Sequence, residues 1–346
     1  MSTLSTSRPT LLDVMRSLDP NGRIAKVAKV LQQYNKMLDD IPWVEGNLAT
    51  GNQTTVQTSK AAPSLRALNA GVVPTKSTVG QINDACSILE NRNMIDVNVA
   101  GLNGNSEAFR MQQDSMMIEG FSDSLAEHLI YGNSADDVNE FNGFATRYFS
   151  LGSTYTTSSQ MIDAGGTGSD NTSIWLVGWG EGKVNGIYPK GTMAGLQYED
   201  RGIQDILTNT STGAYMRAYM SWMQWMCGLA VHDYRYVVRI CNIDVSALNT
   251  ASDSSDTSAN IMKYMSKALD LLPDDGNSRP AFYMSRNTKS MLRVKMMDKT
   301  NLHLSVQDLV APQGITRRPE LTFQGIPCRR MDSILETEAT ITTATT

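Results

Sequence analysis

The sequence is poor in the residues on which most catalytic and cofactor chemistry depends. Its three histidines, His128, His232 and His303, lie far apart and form no H-E-x-x-H or H-x-x-x-H pattern, so none reads as a metal ligand or general base. Four cysteines, Cys86, Cys227, Cys241 and Cys328, form no C-x-x-C pair, which excludes a disulfide framework and a zinc ribbon and leaves free thiols as the expectation. No apolar run approaches the roughly 20 residues that span a bilayer, and the start, Met1 to Arg8, has no apolar signal core. Synthesis and use in the cytosol follow as an expectation. Basic tracts are missing too: 30 Lys and Arg against 35 Asp and Glu give a net charge of −5, which argues against a sequence-independent nucleic-acid binder.

Local motifs add little chemistry. Gly165-Gly166-Thr167-Gly168-Ser169-Asp170 is glycine-rich, but it precedes a strand pattern and carries no Lys, so it reads as a surface loop and not as a phosphate cradle. No G-x-S-x-G elbow is present. The pairs Asp39-Asp40, Asp136-Asp137 and Asp274-Asp275 fall at expected helix ends or loops, where solvated carboxylates are ordinary. Asp136, Asp137 and Glu140 lack the spacing of a calcium loop. The aromatic run from Tyr215 to Met226, with Tyr219, Trp222 and Trp225, offers stacking surfaces but equally suits a sheet core or a subunit contact.

What is present is a chain of 346 residues, long enough for two domains, with 41% hydrophobic residues and 20 methionines that favour adaptable contact surfaces. Ile24, Val27, Ala28, Leu31, Tyr34 and Leu38 recur at helical spacing and predict an amphipathic helix over about 22–38, ended by Pro42. From Trp43 to Thr78, turn signals at Gly46-Asn47, Thr50-Gly51-Asn52 and Asn69-Ala70-Gly71 bracket short strands at 54–58 and 64–68. This long hairpin has too few large apolar residues to cover itself. A second helix is predicted over 106–131, roughly 39 Å long, with Phe109, Met116, Met117, Phe121, Leu125 and Leu129 as its apolar stripe and Gly132 as its stop. A loop at 150–170 precedes a buried strand at 174–179. Strand character returns at 229–244, followed by helices near 258–272 and 287–298, a strand at 281–284 between them, and strands at 320–323 and 328–331. The fold class is α+β.

That order of parts resembles the Hong Kong 97-type capsid fold of tailed-bacteriophage major capsid proteins. Particular wording makes it similar to a podophage branch: Asp39-Asp40-Ile41-Pro42-Trp43-Val44-Glu45-Gly46-Asn47, Tyr131-Gly132-Asn133, Gly165 to Trp175, Gly186-Ile187-Tyr188-Pro189-Lys190-Gly191 and Tyr236-Val237-Val238-Arg239-Ile240. The resemblance implies an N-terminal arm over 1–41, an extended loop over 42–78, and a peripheral domain over 79–149 with residues 106–131 as its spine helix. It implies a mainly axial domain over 150–320, with a peripheral-domain strand near 229–244, and a return to the peripheral domain with a C-terminal tail over 321–346.

The implied function is self-assembly as hexamers and pentamers into the icosahedral shell of the virion, without catalysis and without cofactor or metal, after synthesis in the host bacterial cytoplasm. Implied partners are other copies of the chain, a separate scaffolding protein during assembly, a portal protein, an optional cement protein, and packaged double-stranded DNA held without sequence-specific binding and without a membrane. A mildly acidic wall suits packaged DNA, because a basic lining would adsorb the duplex. Trp43, Val56, Leu65, Arg66 and Leu68 are the candidate inter-subunit contacts. Lys60 and Lys76 lie in or beside the loop, where its composition alone accounts for them, and covalent crosslinking is not expected. The alternatives are another phage structural component, such as a decoration or tail protein, or a hydrolase using the Asp136 to Glu140 region.

Overall fold

The computed structural model describes residues 8–10, 13, 33–102, 106–209, 213–250, 260–273, 276, 278–296, 304–307 and 320–343. Most of the helix predicted over 22–38, the capping residue Asn105, Asp274, Asp275 and His303 lie outside the described residues. Within them, the predicted helix does not continue through Tyr34 to Lys36. Asn35 instead forms a bridge with Met331 and Lys36 N donates to Arg330 O at 3.2 Å, so a tertiary partner takes the backbone groups that a helix would use. One helical turn, α1 (Met37–Asp40), follows, and Pro42 then turns the chain into β1 (Trp43–Glu45).

Two sheets organise the described chain. The first contains β1, β2 (Gly51–Ser59), β3 (Thr78–Asp96), β6 (Val184–Tyr188), β7 (Gln197–Asn209) and β8 (Ala214–Val231), in the order β1-β6-β8-β3-β2 with β7 also on β8. The aromatic run at 215–226 is thus sheet, as one of its two readings held. The second sheet has the order β11-β12-β13-β10-β5-β9-β4, built from β4 (Met161–Asp163), β5 (Asn171–Trp179), β9 (Val237–Asp244), β10 (Arg279–Met284), β11 (Leu304–Gln307), β12 (Glu320–Phe323) and β13 (Ile326–Arg330). Helices α2 (Val97–Gly101), α3 (Ser106–Tyr131), α4 (Phe144–Arg147), α5 (Val245–Thr250), α6 (Ile261–Leu271) and α7 (Arg286–Met296) complete the architecture.

Side-chain alternation explains why the second sheet is central. Ile174 and Leu176 of β5, Val238 and Ile240 of β9, and Phe282 and Met284 of β10 point to one core, shared with Tyr264 and Met265 of α6 and Leu292 of α7. Trp175, Val177 and Trp179, with Val237, Ala281 and Tyr283, point to the other, which they share with Leu125 and Leu129 of α3, Phe144 of α4 and Cys227 and Leu229 of β8. A strand buried on both faces reads as a continuous apolar run, which is why 174–179 was legible.

Several expectations need correction. The strand predicted over 64–68 is absent: residues 60–77 carry no regular element apart from a turn near Leu68-Asn69, and the partner of β2 is β3. The predicted strand 229–244 is two strands in different sheets, because a 3-10 turn at Tyr234–Tyr236 ends β8 and starts β9. The loop at 150–170 includes a 3-10 turn at Thr156–Gln160 and the short β4. Helix α3 has the predicted bounds, but Met116 faces solvent, and Asp114 is buried on the inner face, where it accepts from Asn93, Tyr198 and Ser221 at 2.7, 3.0 and 3.1 Å. Asp40 is not a freely solvated carboxylate. It accepts from Tyr283 Oη at 2.6 Å, whose oxygen accepts from Trp179 Nε1 at 2.7 Å, and Arg329 Nε lies 2.9 Å away.

The chain after β13 crosses the second sheet as a strap. Met331 N donates to Met284 O, Glu338 N to Asn171 O and Leu151 N to Thr342 O, at 2.9, 2.8 and 3.2 Å, and Ile341 N donates to Asn242 Oδ1 at 2.8 Å.

Candidate inter-subunit surface

The most solvent-exposed part of the described chain is the hairpin arm made by β2 and the first half of β3. Its strands pair from Gly51 with Ala85 out to Ser59 with Thr78. Thr, Gln and Asn dominate β2, so it has β-propensity without an apolar face, and its outer half is exposed. At nine residues and about 3.3 Å each, β2 carries the tip about 30 Å from its root.

The root is held firmly. Gly51 has φ +157°, and a Cβ there would meet Asp84 O at 2.0 Å, so only glycine permits this approach of β2 to β3. Asp84 is buried and accepts from Arg147 Nη2 at 2.8 Å, while the same guanidinium donates to Leu229 O at 3.1 Å. Thr54 Oγ1 lies 2.8 Å from His232 Nδ1, and Asn47 pairs with Gln53 through bonds of 2.7 and 2.8 Å. Burial holds His232 below the ordinary histidine value of 6.5, against the pull of Asp84 in the other direction.

The tip has no such anchorage. The hydrogen bonds of residues 60–77 stay within the arm: Ala61 N to Ser77 Oγ at 3.0 Å, Thr75 Oγ1 to Ala62 O at 3.2 Å, and Ala70 N to Ala67 O at 3.2 Å in a turn where Asn69 has φ 67°. Leu65 and Leu68 project wholly into solvent, and Val73 nearly so. From Gly46 to Asn83 the sequence contains Lys60, Arg66 and Lys76 and no acidic residue. The arm is therefore apolar at its end and positively charged on a chain of net charge −5.

Of the candidate contacts, Leu65, Arg66 and Leu68 sit together at the tip, and Val56 is half-buried in mid-strand opposite Gly80. Trp43 lies apart from them, against Trp225 at 5.9 Å between ring centroids and over Gly186, within its own subunit. Sequence reasoning missed Val73 and Val79, both exposed, and the Arg147 anchor. The acid-free run is the signal that marks out the whole arm.

Elsewhere the polar residues serve structure. Glu140 accepts from Asn133 N at 3.0 Å and pairs with His128 at 3.2 Å, while Asp136 and Asp137 are exposed. Among the described residues no group of three or more His, Cys, Asp or Glu is arranged to hold a metal, and no helix is long and apolar enough to cross a membrane.

A family model described as major capsid protein GP7 matches residues 19–342. The near-atomic structure of bacteriophage Epsilon15 superposes on this chain with a TM-score of 0.77 at 29% identity, covering 99% of each chain. The bacteriophage JBD30 capsid chain matches at a TM-score of 0.42 and 11% identity, covering 89% of this chain and 91% of that one. No curated protein matches the sequence.

Proposed function

This chain belongs to the major capsid protein GP7 family, and from that membership we propose how its parts divide the work of building a shell. It is a tailed-phage major capsid protein of the Hong Kong 97-type fold, a structural subunit of the icosahedral shell that encloses the genome, and its place is the virion. Hexamers and pentamers are the units by which the copies close that shell. A separate scaffolding protein directs their assembly, a portal protein occupies one vertex, and a cement protein is an optional outer partner. The contained DNA meets the wall without sequence readout. No step in this role calls for catalysis.

The second sheet with α5, α6 and α7 serves as the axial domain, and α3 with the first sheet serves as the peripheral domain. The two-sheet division supports placing β8 and β9 in different domains, where one strand near 229–244 was expected. The hairpin arm is the assembly element. The observation that carries this is the contrast between a root fixed by Arg147, Asp84 and Gly51 and a tip whose Leu65 and Leu68 side chains stand in solvent. Ordering some 18 residues at roughly 1–2 kcal/mol each is not offset by contacts within the arm, so a neighbour supplies them.

Replacing residues 60–77 by a short Gly-Ser turn tests the reading. The folded subunit should melt at nearly the wild-type temperature, while negative-stain images show no shells. Wild-type-like shells from the shortened chain would overturn the role of the arm.

A further inference from the structure

We propose that a small cavity beside the root of the arm binds a divalent cation of calcium's kind through Asn185, Glu45 and Glu181. The cavity holds about 240 Å³ and lies where β1, the start of β2, β6 and the end of β8 meet. Alternation along β6 sets its floor. Val184 joins the core shared with α3, and Gly186 lies against Trp43 and Ile41. Asn185 and Ile187 point the other way, and both line the cavity.

Asn185 is only 1% exposed. Its Nδ2 donates to Gly186 O at 3.2 Å, but its Oδ1 is buried and accepts from nothing among the described residues. A buried carbonyl oxygen without a partner is rare and costly, so it marks a place that a ligand completes. Two carboxylates line the same cavity. Glu45 Oε1 accepts from Gly191 N at 2.7 Å, which holds the side chain in place and leaves its second oxygen for a ligand. Glu181, exposed in the turn before β6, has no hydrogen bond or ion pair among the described residues. Neither Lys nor Arg is among the described lining residues, and Lys183 is engaged elsewhere, its Nζ 4.4 Å from the centre of the Tyr236 ring.

Amide and carboxylate oxygens are the donors a hard cation takes, and water completes a calcium shell of roughly six to eight oxygens. Two carboxylates therefore suffice where a softer metal would need imidazole or thiolate as well. His232 also lines the cavity, but its Nδ1 lies 2.8 Å from Thr54 Oγ1, and a hard cation prefers oxygen. A lone water on Asn185 Oδ1 is the rival occupant, and it makes no use of the paired charges. The ion ties β1 to the turn before β6, beside Asn52 at the start of β2.

The test uses the full-length, unassembled subunit stripped of metal with a chelator. Calcium at ten times its dissociation constant should raise the melting temperature by about 2 °C. Terbium, which takes calcium's place, should luminesce when tryptophan is excited and be displaced by calcium. Glu181→Gln changes an exposed side chain, so it should melt like wild type without calcium and lose both the rise and the luminescence. Asn185→Asp keeps the oxygen and adds a charge: it should melt below wild type without calcium and gain more from calcium than wild type does. No rise and no luminescence in the wild-type chain overturn the site. So does an undiminished response in Glu181→Gln, which would put the ion elsewhere. If Asn185→Asp does not fold, the comparison of wild type with Glu181→Gln decides.

Discussion

Arg239 of β9 and Glu338 of the C-terminal strap, 99 residues apart in sequence, form an ion pair of 2.9 Å with both side chains almost wholly buried. The remaining acceptor sites of Glu338 take the hydroxyls of Tyr131, at 2.6 Å, and Ser173, and Arg239 also donates to Tyr148 O at 2.8 Å and lies 4.7 Å over Trp175. Such a pair fixes the strap to α3 and the second sheet at one point.

Removing one partner leaves the other charge buried and unpaired. Glu338→Gln is expected to destabilise the subunit by about 3–5 kcal/mol. Arg239→Met with Glu338→Leu should cost less than either single change, since no lone charge remains. Urea unfolding of the unassembled subunit measures both, and equal stability of Glu338→Gln and wild type would show that the pair contributes nothing.

Helix α3 gives a paired comparison. Phe121 is 6% exposed and Met116 39% exposed on the same helix. Phe121→Asp buries an unpaired carboxylate, and a loss of several kcal/mol and insoluble protein are expected. Met116→Asp should change stability by no more than about 0.5 kcal/mol. Soluble, cooperatively melting Phe121→Asp protein would mean that the inner face is misplaced.

His232 predicts a pH dependence. Its value is held below 6.5 by burial, so the folded subunit binds fewer protons than the unfolded chain once the pH falls toward and below that value. Stability therefore falls as pH falls through the range below about 6.5 and is full above it. His232→Gln should flatten the fall in melting temperature between pH 7.5 and 5.5 and preserve a partner for Thr54. An unchanged slope in the variant assigns the acid response to other groups.

The thiols should be slow to react. Burial pushes Cys86 up to about 11 and Cys241 up to about 12, and raises Cys227 as well, so little thiolate exists at neutral pH. Cys328 is buried too. A thiol reagent at pH 8 should label the native subunit far more slowly than the unfolded chain, and particles on non-reducing gels should run as monomer. Rapid native labelling, or a covalent ladder that collapses with reductant, contradicts this.

Elements that carry their own evidence in sequence were the legible ones. Helix α3 shows 3.6-residue spacing over seven turns and ends at Gly132, whose missing Cβ makes room for His128 O and Phe141 O, each 2.5 Å from where it would lie. Strand β5 announced itself by an apolar run long enough to be covered on both faces. The failures share a cause: the deciding partner lies far away in the chain. Leu65 and Leu68 suggest a strand by composition, yet no strand lies beside them in the subunit. Tyr34 continues a helical pattern that ends at Asn35, bridged by Met331 from 296 positions downstream. Of the candidate contacts, Leu65, Arg66 and Leu68 are exposed at the end of the arm. Trp43 is half-buried against Trp225 of β8, a pairing between residues 182 positions apart that no local pattern shows.

Strand β3 runs unbroken from Thr78 to Asp96, pairing with β2 as far as Ala85 and with β8 from Cys86 onward. No loop separates the arm from the body, so the arm behaves as a cantilever and not as a tether. Swinging it means bending or twisting one continuous ribbon, and that torque enters the β8 ladder and the α3 packing beneath it. A neighbour that shifts the tip by a given angle thus applies strain to the subunit's interior, and a change of shape in the interior re-aims the tip. On the proposed role of the arm, curvature of the shell and the internal set of each subunit are mechanically coupled.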